Sequence, residues 1–529
     1  MIVNTEYISR FRWVVCQLDA LQGCLKPRQI RNALKSLPKT LDETYARILA
    51  SIPEEHSEDA RRILQCLITA FYPLDVKEVA EIVAINPSED PIIDFDNKLC
   101  DPQDVMTICS SLVSVIPSTR IKLKENFAGA ETFSFQELRL AHYSVKEYLI
   151  SNRVESALAP MYSIDERLAH DAMAGFCIRY LLQFDQDDLR RGLPGSQYEL
   201  LESALFAPYA TRCWGRHFRA AAPDMSSLIH KHALALLEEP KIVRNALKLQ
   251  KPWWDRRGYF KTSGFLAMGF VNPLYYASMQ GLTSLVTTLL DLNYDVDSPG
   301  PSGTALAAAC SEGHVDVIQI LLRAGANIDL EPIDFEDRSN ARSTPLSHAV
   351  LTNRVHVVRL LLAEGADIHR FSGKGYKRTP VHNAVLYAKI NVARILISAG
   401  ADVNKIGTKG DQTPLQLACS TGDEEMFNLV LSAGALVNDQ PSHWGNSLCG
   451  AISEGHLSII DKLQNLGGRL DLPLGVDGFV SSFLLKAGNT GCVAQAEHFL
   501  SMIYSKVLNE KKSYSLLCCA SQQLTVKKT

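Results

Sequence analysis

The chain is expected to be mostly α, a helical region with one β-hairpin followed by an α-solenoid, and three observations lead there. First, a short pattern recurs about seven times between Asn272 and residue 500, as in Thr344-Pro345-Leu346-Ser347-His348-Ala349, Thr379-Pro380-Val381-His382-Asn383-Ala384 and Thr413-Pro414-Leu415-Gln416-Leu417-Ala418. With looser copies ending in Ala277, Ala309, Ala451 and Ala487, the alanine-to-alanine steps are 32, 40, 35, 34, 33 and 36 residues. A fixed period of that length marks stacked helix pairs that bury a shared core. Second, apolar residues elsewhere keep mostly helical spacing. Third, the period changes to two after Leu112, the signature of a half-buried hairpin.

Within each copy the parts follow from local physics. Thr344, Thr379 and Thr413 stand where a hydroxyl caps a helix, and Pro345, Pro380 and Pro414 occupy the first turn, where a missing N–H costs little. Leu346, Val381 and Leu415 face the core, and the small alanines let neighbouring helices approach. Gly281, Gly313, Gly422, Gly455 and Gly491 come four residues after the alanine and end the helix in the left-handed conformation. A second apolar run follows, as in Leu321-Leu322, Leu361-Leu362 and Leu396-Ile397, then a turn such as Gly325-Ala326-Asn327-Ile328-Asp329 or Gly400-Ala401-Asp402-Val403-Asn404.

With capping, glycine and turn positions recurring in phase, the array resembles ankyrin repeats. The Ser302–Leu306 and Trp444–Leu448 segments resemble a variant common in ankyrin arrays of filamentous fungi. The resemblance implies a non-catalytic element that binds a protein partner through its groove and finger tips, where residues vary from copy to copy. The 40-residue step puts an extended finger at about Leu330 to Ser343. Its tip is acidic, with Glu331, Asp334, Glu336 and Asp337, whereas the next two are basic: Arg370, Lys374, Lys377, Arg378, Lys405 and Lys409. Tyr376 and Trp444 add aromatic anchors of the kind that dominate interface energies. These eight residues are the candidate partner-binding set, with a solvated rim as the alternative. His382 reads as a structural hydrogen-bonding residue, and the degenerate copy ending at Ala487 as a terminal cap.

In the first half, Ile30, Leu34 and Leu37 give helical spacing that Pro38 interrupts before a helix from about Leu41. Residues 58–85 hold two more helical patterns broken near Pro73. Ile121 and Leu123 alternate with lysines, a turn at 126–129 follows, and Phe133 and Phe135 alternate with polar residues. Helices followed by a hairpin suggest a winged helix. His142, Tyr143 and Glu147 read as packing and capping residues. The expected divisions are a helical remnant over 1–50, a winged-helix-like domain over 51–155, a helical linker over 156–267, repeats over 268–505 and a tail over 506–529.

Phe11–Asp19, Leu37–Tyr45 with Ile48-Leu49, and Leu140–Leu149 resemble the region downstream of the NACHT domain in fungal NOD-like STAND proteins. That family orders an effector, a NACHT ATPase switch, a winged helix and a repeat sensor, and is implicated in recognising non-self. The chain departs from it in lacking any G-x-x-x-x-G-K-[ST] phosphate loop, without which a triphosphate has no oriented N–H donors or lysine. Met1 is thus expected to start after the switch. A non-enzymatic sensor or scaffold without cofactor is the leading expectation. A NACHT NTPase whose phosphate loop lies in missing upstream sequence, or an ankyrin adaptor for another enzyme, are the alternatives.

Composition narrows the classes further. The formal net charge is −4, and Ser57 to Glu155 carries 10 Lys/Arg against 16 Asp/Glu, opposite to what phosphate contacts require. No nucleic-acid partner is expected. Thirteen scattered cysteines without a C-x-x-C pair read as reduced thiols. The first residues lack a secretory pattern, and no run of about 18 apolar residues suggests a membrane span. A cytoplasmic location is the expectation.

Overall fold

In the computed structural model the described residues are 26–29, 38–86, 90, 92–94, 96–123, 130–155, 159–185, 204–239, 272–300, 303–331, 343–373, 377–408, 412–438 and 446–469. They form two compact units, Met1–Tyr294 and Asp295–Thr529.

The first unit begins with α1 (Leu41–Ala50). Thr40 Oγ1 accepts the Glu43 N–H at 3.1 Å and the Glu43 carboxylate accepts the Lys39 N–H at 2.8 Å, satisfying donors a helix start leaves open. Then come α2 (Ser57–Thr69), β1 (Leu74–Asp75), α3 (Val76–Val83) and α4 (Asp104–Cys109). A capping box fixes α3: Asp75 Oδ1 accepts from Lys77 N at 2.8 Å, and Glu78 Oε2 from Asp75 N at 2.7 Å. The hairpin is β2 (Val113–Leu123) against β3 (Ala130–Leu140), antiparallel, with Val115 opposite Leu138 and Leu123 opposite Ala130. Strand β1 pairs antiparallel with β3, so the sheet order is β1-β3-β2. Leu138 is buried while Glu137 and Arg139 are not, the period-two pattern of a sheet with one covered face. The expected turn at 126–129 lies outside the described residues.

Helices α5 (Tyr143–Leu149), α6 (Glu166–Leu182), α7 (Ala207–Ala221), α8 (Leu228–Glu238), α9 (Pro273–Gln280) and α10 (Thr283–Asp291) complete the unit. Residues 166–185 and 204–238 pack within this unit: α6 packs on α2, and Glu81 Oε2 accepts from the Tyr180 hydroxyl at 2.7 Å and from the Phe206 N–H at 3.0 Å. Part-buried hydrogen bonds between residues 99 and 125 positions apart tie the segment into one core, which also takes in the first helix pair of the repeat pattern.

The second unit stacks α11 (Ala305–Glu312) and α12 (Val315–Arg323), α13 (Pro345–Leu351) and α14 (Val355–Ala363), α15 (Pro380–Leu386) and α16 (Ile390–Ser398), α17 (Pro414–Thr421) and α18 (Glu424–Ser432), and α19 (Ser447–Glu454) and α20 (Leu457–Asn465). A short bridge, β4 (Pro299–Gly300) to β5 (Gly303–Thr304), precedes them. Leu346, Val381, Leu415 and Leu361 are at most 1% exposed, as the repeat register requires. The degenerate copy around Ala487 lies outside the described residues.

Candidate functional site

Polar groups of the repeat array are closed first within each copy and then between neighbours. Thr344 and Thr413 accept the N–H three residues on, and His382 Nδ1 meets Thr379 Oγ1 at 2.6 Å and the Thr379 N–H at 3.3 Å. His382 is fully buried, a structural hydrogen-bonding residue. Gly422 has φ 76°, and a β-carbon there would stand 2.3 Å from the His456 ring, whose Nε2 donates to the Ser420 carbonyl at 3.1 Å. In two copies the corresponding position is Asn353 (φ 59°) and Ala388 (φ 52°).

A second closure runs along the turns. Asp297 Oδ1 accepts the Asn327 N–H at 3.0 Å, Asp329 Oδ1 the Asp367 N–H at 3.0 Å, Asn404 Oδ1 the Leu436 N–H at 2.9 Å and Asn438 Oδ1 the Arg469 N–H at 2.7 Å. Asn404 and Asn438 also donate to the carbonyls of Gly434 and Gly467 at 3.1 and 3.0 Å. The equivalent residue between these is His369, and no such rung occurs there among the described residues. Instead, Lys405 Nζ donates to the His369 carbonyl at 3.1 Å and lies 4.7 Å from the Phe371 ring centroid.

This geometry sorts the eight candidate residues. Arg370 is exposed. Lys377 Nζ pairs with Glu331 Oε2 at 3.5 Å, and the Glu331 side chain is only 15% exposed. The Lys377 N–H donates to Thr408 Oγ1 at 2.9 Å. Arg378 exchanges two backbone bonds with Ser372, at 2.9 and 3.0 Å, which makes the finger a narrow hairpin. Thus Lys377 and Lys405 spend their charge inside the array, joining neighbouring fingers, and Arg370 is the basic tip that points to solvent. Lys374, Tyr376, Lys409 and Trp444 lie outside the described residues.

Residues not singled out by sequence line the first helices of the pairs. His348 and Leu351 on α13, and Asn383 and Leu386 on α15, are half-exposed, and Tyr387, which caps α15, is 48% exposed. Tyr387 stands where other copies carry Thr352, Thr421 or Glu312. A large aromatic at a position otherwise small or polar was the available signal.

The first unit holds its own polar cluster. The Phe71 N–H donates to Tyr209 Oη at 3.1 Å, Tyr209 Oη lies 2.9 Å from His217 Nε2, and His217 Nδ1 lies 2.9 Å from His170 Nδ1. Donors and acceptors match if Tyr209 donates to His217 and His217 donates to His170. Burial pushes the His217 pKa down to about 3, with His170 and Arg216 adding repulsion, and burial also lowers that of His170. Burial raises the Cys66, Cys109 and Cys213 thiols to about 12, so they stay protonated and unreactive at neutral pH. His142 Nδ1 meets Ser144 Oγ at 2.6 Å and accepts the Ser144 N–H at 3.2 Å, a cap on α5. Among the described residues no group of three or more His, Cys, Asp or Glu is arranged to hold a metal ion, and no helix is long and apolar enough to cross a membrane.

Comparison with known proteins matches residues 274–372, 330–407 and 370–441 to the family model for ankyrin repeats. The azaphilone pigments biosynthesis cluster protein L of Monascus ruber is 28% identical over 318 residues, covering 56% of this chain and 61% of that protein. Human ankyrin repeat and SOCS box protein 11 is 30% identical over 111 residues, 21% of this chain and 32% of that protein. Human palmitoyltransferase ZDHHC13 is 33% identical over 205 residues, 37% of this chain and 30% of that protein. The chain thus spans less than two thirds of the length of these curated relatives. The C-terminal region carries ankyrin repeats, and such repeats imply protein partners.

Proposed function

We propose that this chain is a non-enzymatic protein–protein interaction protein that carries the sensor or scaffold region of a fungal NOD-like architecture. One observation carries the reading: helix caps and left-handed turns recur at the same positions, and turn rungs link most neighbouring copies, while exposed positions such as Arg370 and Tyr387 change from copy to copy. A constant frame with variable tips is a recognition device. The N-terminal part of the reading draws support from the order of α2, β1, α3, α4 and the β2–β3 hairpin with sheet order β1-β3-β2, which a winged helix would require. The similarity to a Monascus ruber protein supports a fungal setting, and the cytoplasm is the proposed compartment.

The partner surface on this reading comprises Arg370 and Arg378, with Lys374 and Tyr376 in the same finger of the sequence and Lys409 and Trp444 in the next two. Lys377 and Lys405 act as braces that hold the fingers together. Affinity capture with the full chain and with Arg370→Glu/Arg378→Glu tests it. A set of proteins retained by the wild type and lost by the variant, at equal melting temperature, is expected. Identical sets would remove the fingers from recognition. Calorimetry with ATP separates the alternative of an NTPase: stoichiometric binding to this chain would overturn the non-enzymatic reading.

A further inference from the structure

A surface on the first unit is built for anion recognition and takes no part in the reading above. Arg212 and Arg216 stand one turn apart on α7, with Arg219 a further turn on. The Arg216 guanidinium carbon lies 4.0 Å from the Phe71 ring centroid and 5.5 Å from that of Tyr72, and Arg212 lies 4.6 Å from that of Tyr72. Stacking uses the flat faces of a guanidinium and leaves its N–H edge available. One edge donor of Arg216 reaches Tyr72 Oη at 3.2 Å, which leaves the Tyr72 hydroxyl proton free to donate in turn. Neither Arg212 nor Arg216 pairs with a carboxylate among the described residues, and Arg212 Nε is buried with no hydrogen-bond partner. By contrast, other basic side chains of the unit are engaged: Lys146 with Glu166 at 2.9 Å, Arg179 with Asp90 at 2.8 Å and Arg219 with the Gln280 carbonyl at 3.1 Å.

We infer that Arg212, Arg216 and Tyr72 form a docking surface for an acidic protein segment, two of whose carboxylates each accept a forked pair of N–H bonds. Side chains one turn apart on a helix are about 5–6 Å apart at Cβ. An extended strand presents alternate side chains at about 6.6–6.8 Å, so a Glu-x-Glu spacing fits the arginine pair. The half-exposed Tyr72 ring, 37% accessible, offers an apolar shelf for the residue flanking the second carboxylate. A nucleic acid fits less well, because its affinity comes from many phosphate contacts along a path, whereas this surface offers two arginines one turn apart on a single helix.

The test is fluorescence anisotropy of the full chain with a short labelled peptide in which glutamate alternates with serine and tyrosine. Arg212→Gln/Arg216→Gln is expected to weaken binding by about tenfold or more, whereas Lys98→Gln/Arg139→Gln, which removes the same charge from two exposed positions of the same unit, leaves it unchanged. A double arginine variant that melts normally and binds like wild type overturns the proposal. If it melts early, Arg212→Lys/Arg216→Lys and Tyr72→Phe take its place. Lysine keeps the charge but not the planar fork, so both variants are expected to bind several-fold more weakly, and full affinity in both overturns the proposal equally. Displacement of the peptide by a single-stranded oligonucleotide at the same charge concentration would assign the surface to nucleic acid instead.

Discussion

The repeat array and the N-terminal unit solve the same problem, burying polar backbone and side chains, in opposite ways. In the array each closure is short-range and repeated: a threonine caps its own helix, and an Asp or Asn turn residue accepts an N–H from the next repeat. In the N-terminal unit the closures are singular and span the chain, as when Glu81 takes bonds from Tyr180 and Phe206 or Phe71 donates to Tyr209. The first design distributes stability over nearest-neighbour interfaces. The second concentrates it in a few buried polar clusters that have no substitute if one member is lost.

Breaking the array at its centre should produce the largest effect. Leu361 is fully buried on α14, and Leu361→Ala should cost about 2–5 kcal/mol in denaturant unfolding. Leu436→Ala, at a turn residue 59% exposed, should be close to neutral. Equal losses at both positions would break the repeat register.

Acid should strike the other region. The His217 pKa is lowered to about 3 in the folded unit from about 6.5 in an unfolded chain. A lowered histidine pKa means the unfolded state binds the extra proton. Stability is therefore complete above about pH 6.5 and is lost as pH falls towards 3, by at most about 1.4 kcal/mol per pH unit. Burial lowers the His170 pKa as well, which adds to the slope in the same direction. Amide exchange across 207–221 followed from pH 7 to 4 should show the loss, and His217→Gln should flatten it. An unchanged slope in that variant would place the acid sensitivity elsewhere.

Smaller changes probe the ladder of turn rungs. Asn404→Ala removes one accepted and one donated bond and should cost about 1–3 kcal/mol. His369→Asn should do the reverse by supplying the missing rung to the Asp402 N–H, a gain of about 0.5–1.5 kcal/mol. Chemical denaturation of the two variants checks both signs. If His369→Asn destabilises, the turn there has a geometry that the neighbouring rungs do not share.

The same contrast explains what could be read from sequence. Helix-pair register, caps and the left-handed glycines of the array were legible because every copy restates them. The hairpin was legible because Phe133 and Phe135 alternate with polar residues. The packing of α6 and α7 onto the first helices of the unit was not legible. It depends on Glu81, Tyr180, Phe206 and Tyr209, whose roles arise from proximity across the fold and leave no period in the chain. Within the candidate site, the clustering of basic residues on two fingers was visible, but not that Lys377 would turn to Glu331 and Lys405 to Phe371. Those choices depend on neighbouring repeats supplying a partly buried carboxylate and a ring face. Tyr387 was overlooked because it sits at a position where other copies hold small or polar residues.

The central claim is that recognition belongs to the array. Its most direct test is hydrogen–deuterium exchange of the full chain, alone and saturated with the partner obtained by affinity capture. The account predicts slowed exchange at the turns and first-helix ends of the array, around 348–354, 369–373 and 383–389, with residues 41–182 unchanged. Protection confined to 41–182, with the array exchanging as in the free chain, would contradict it.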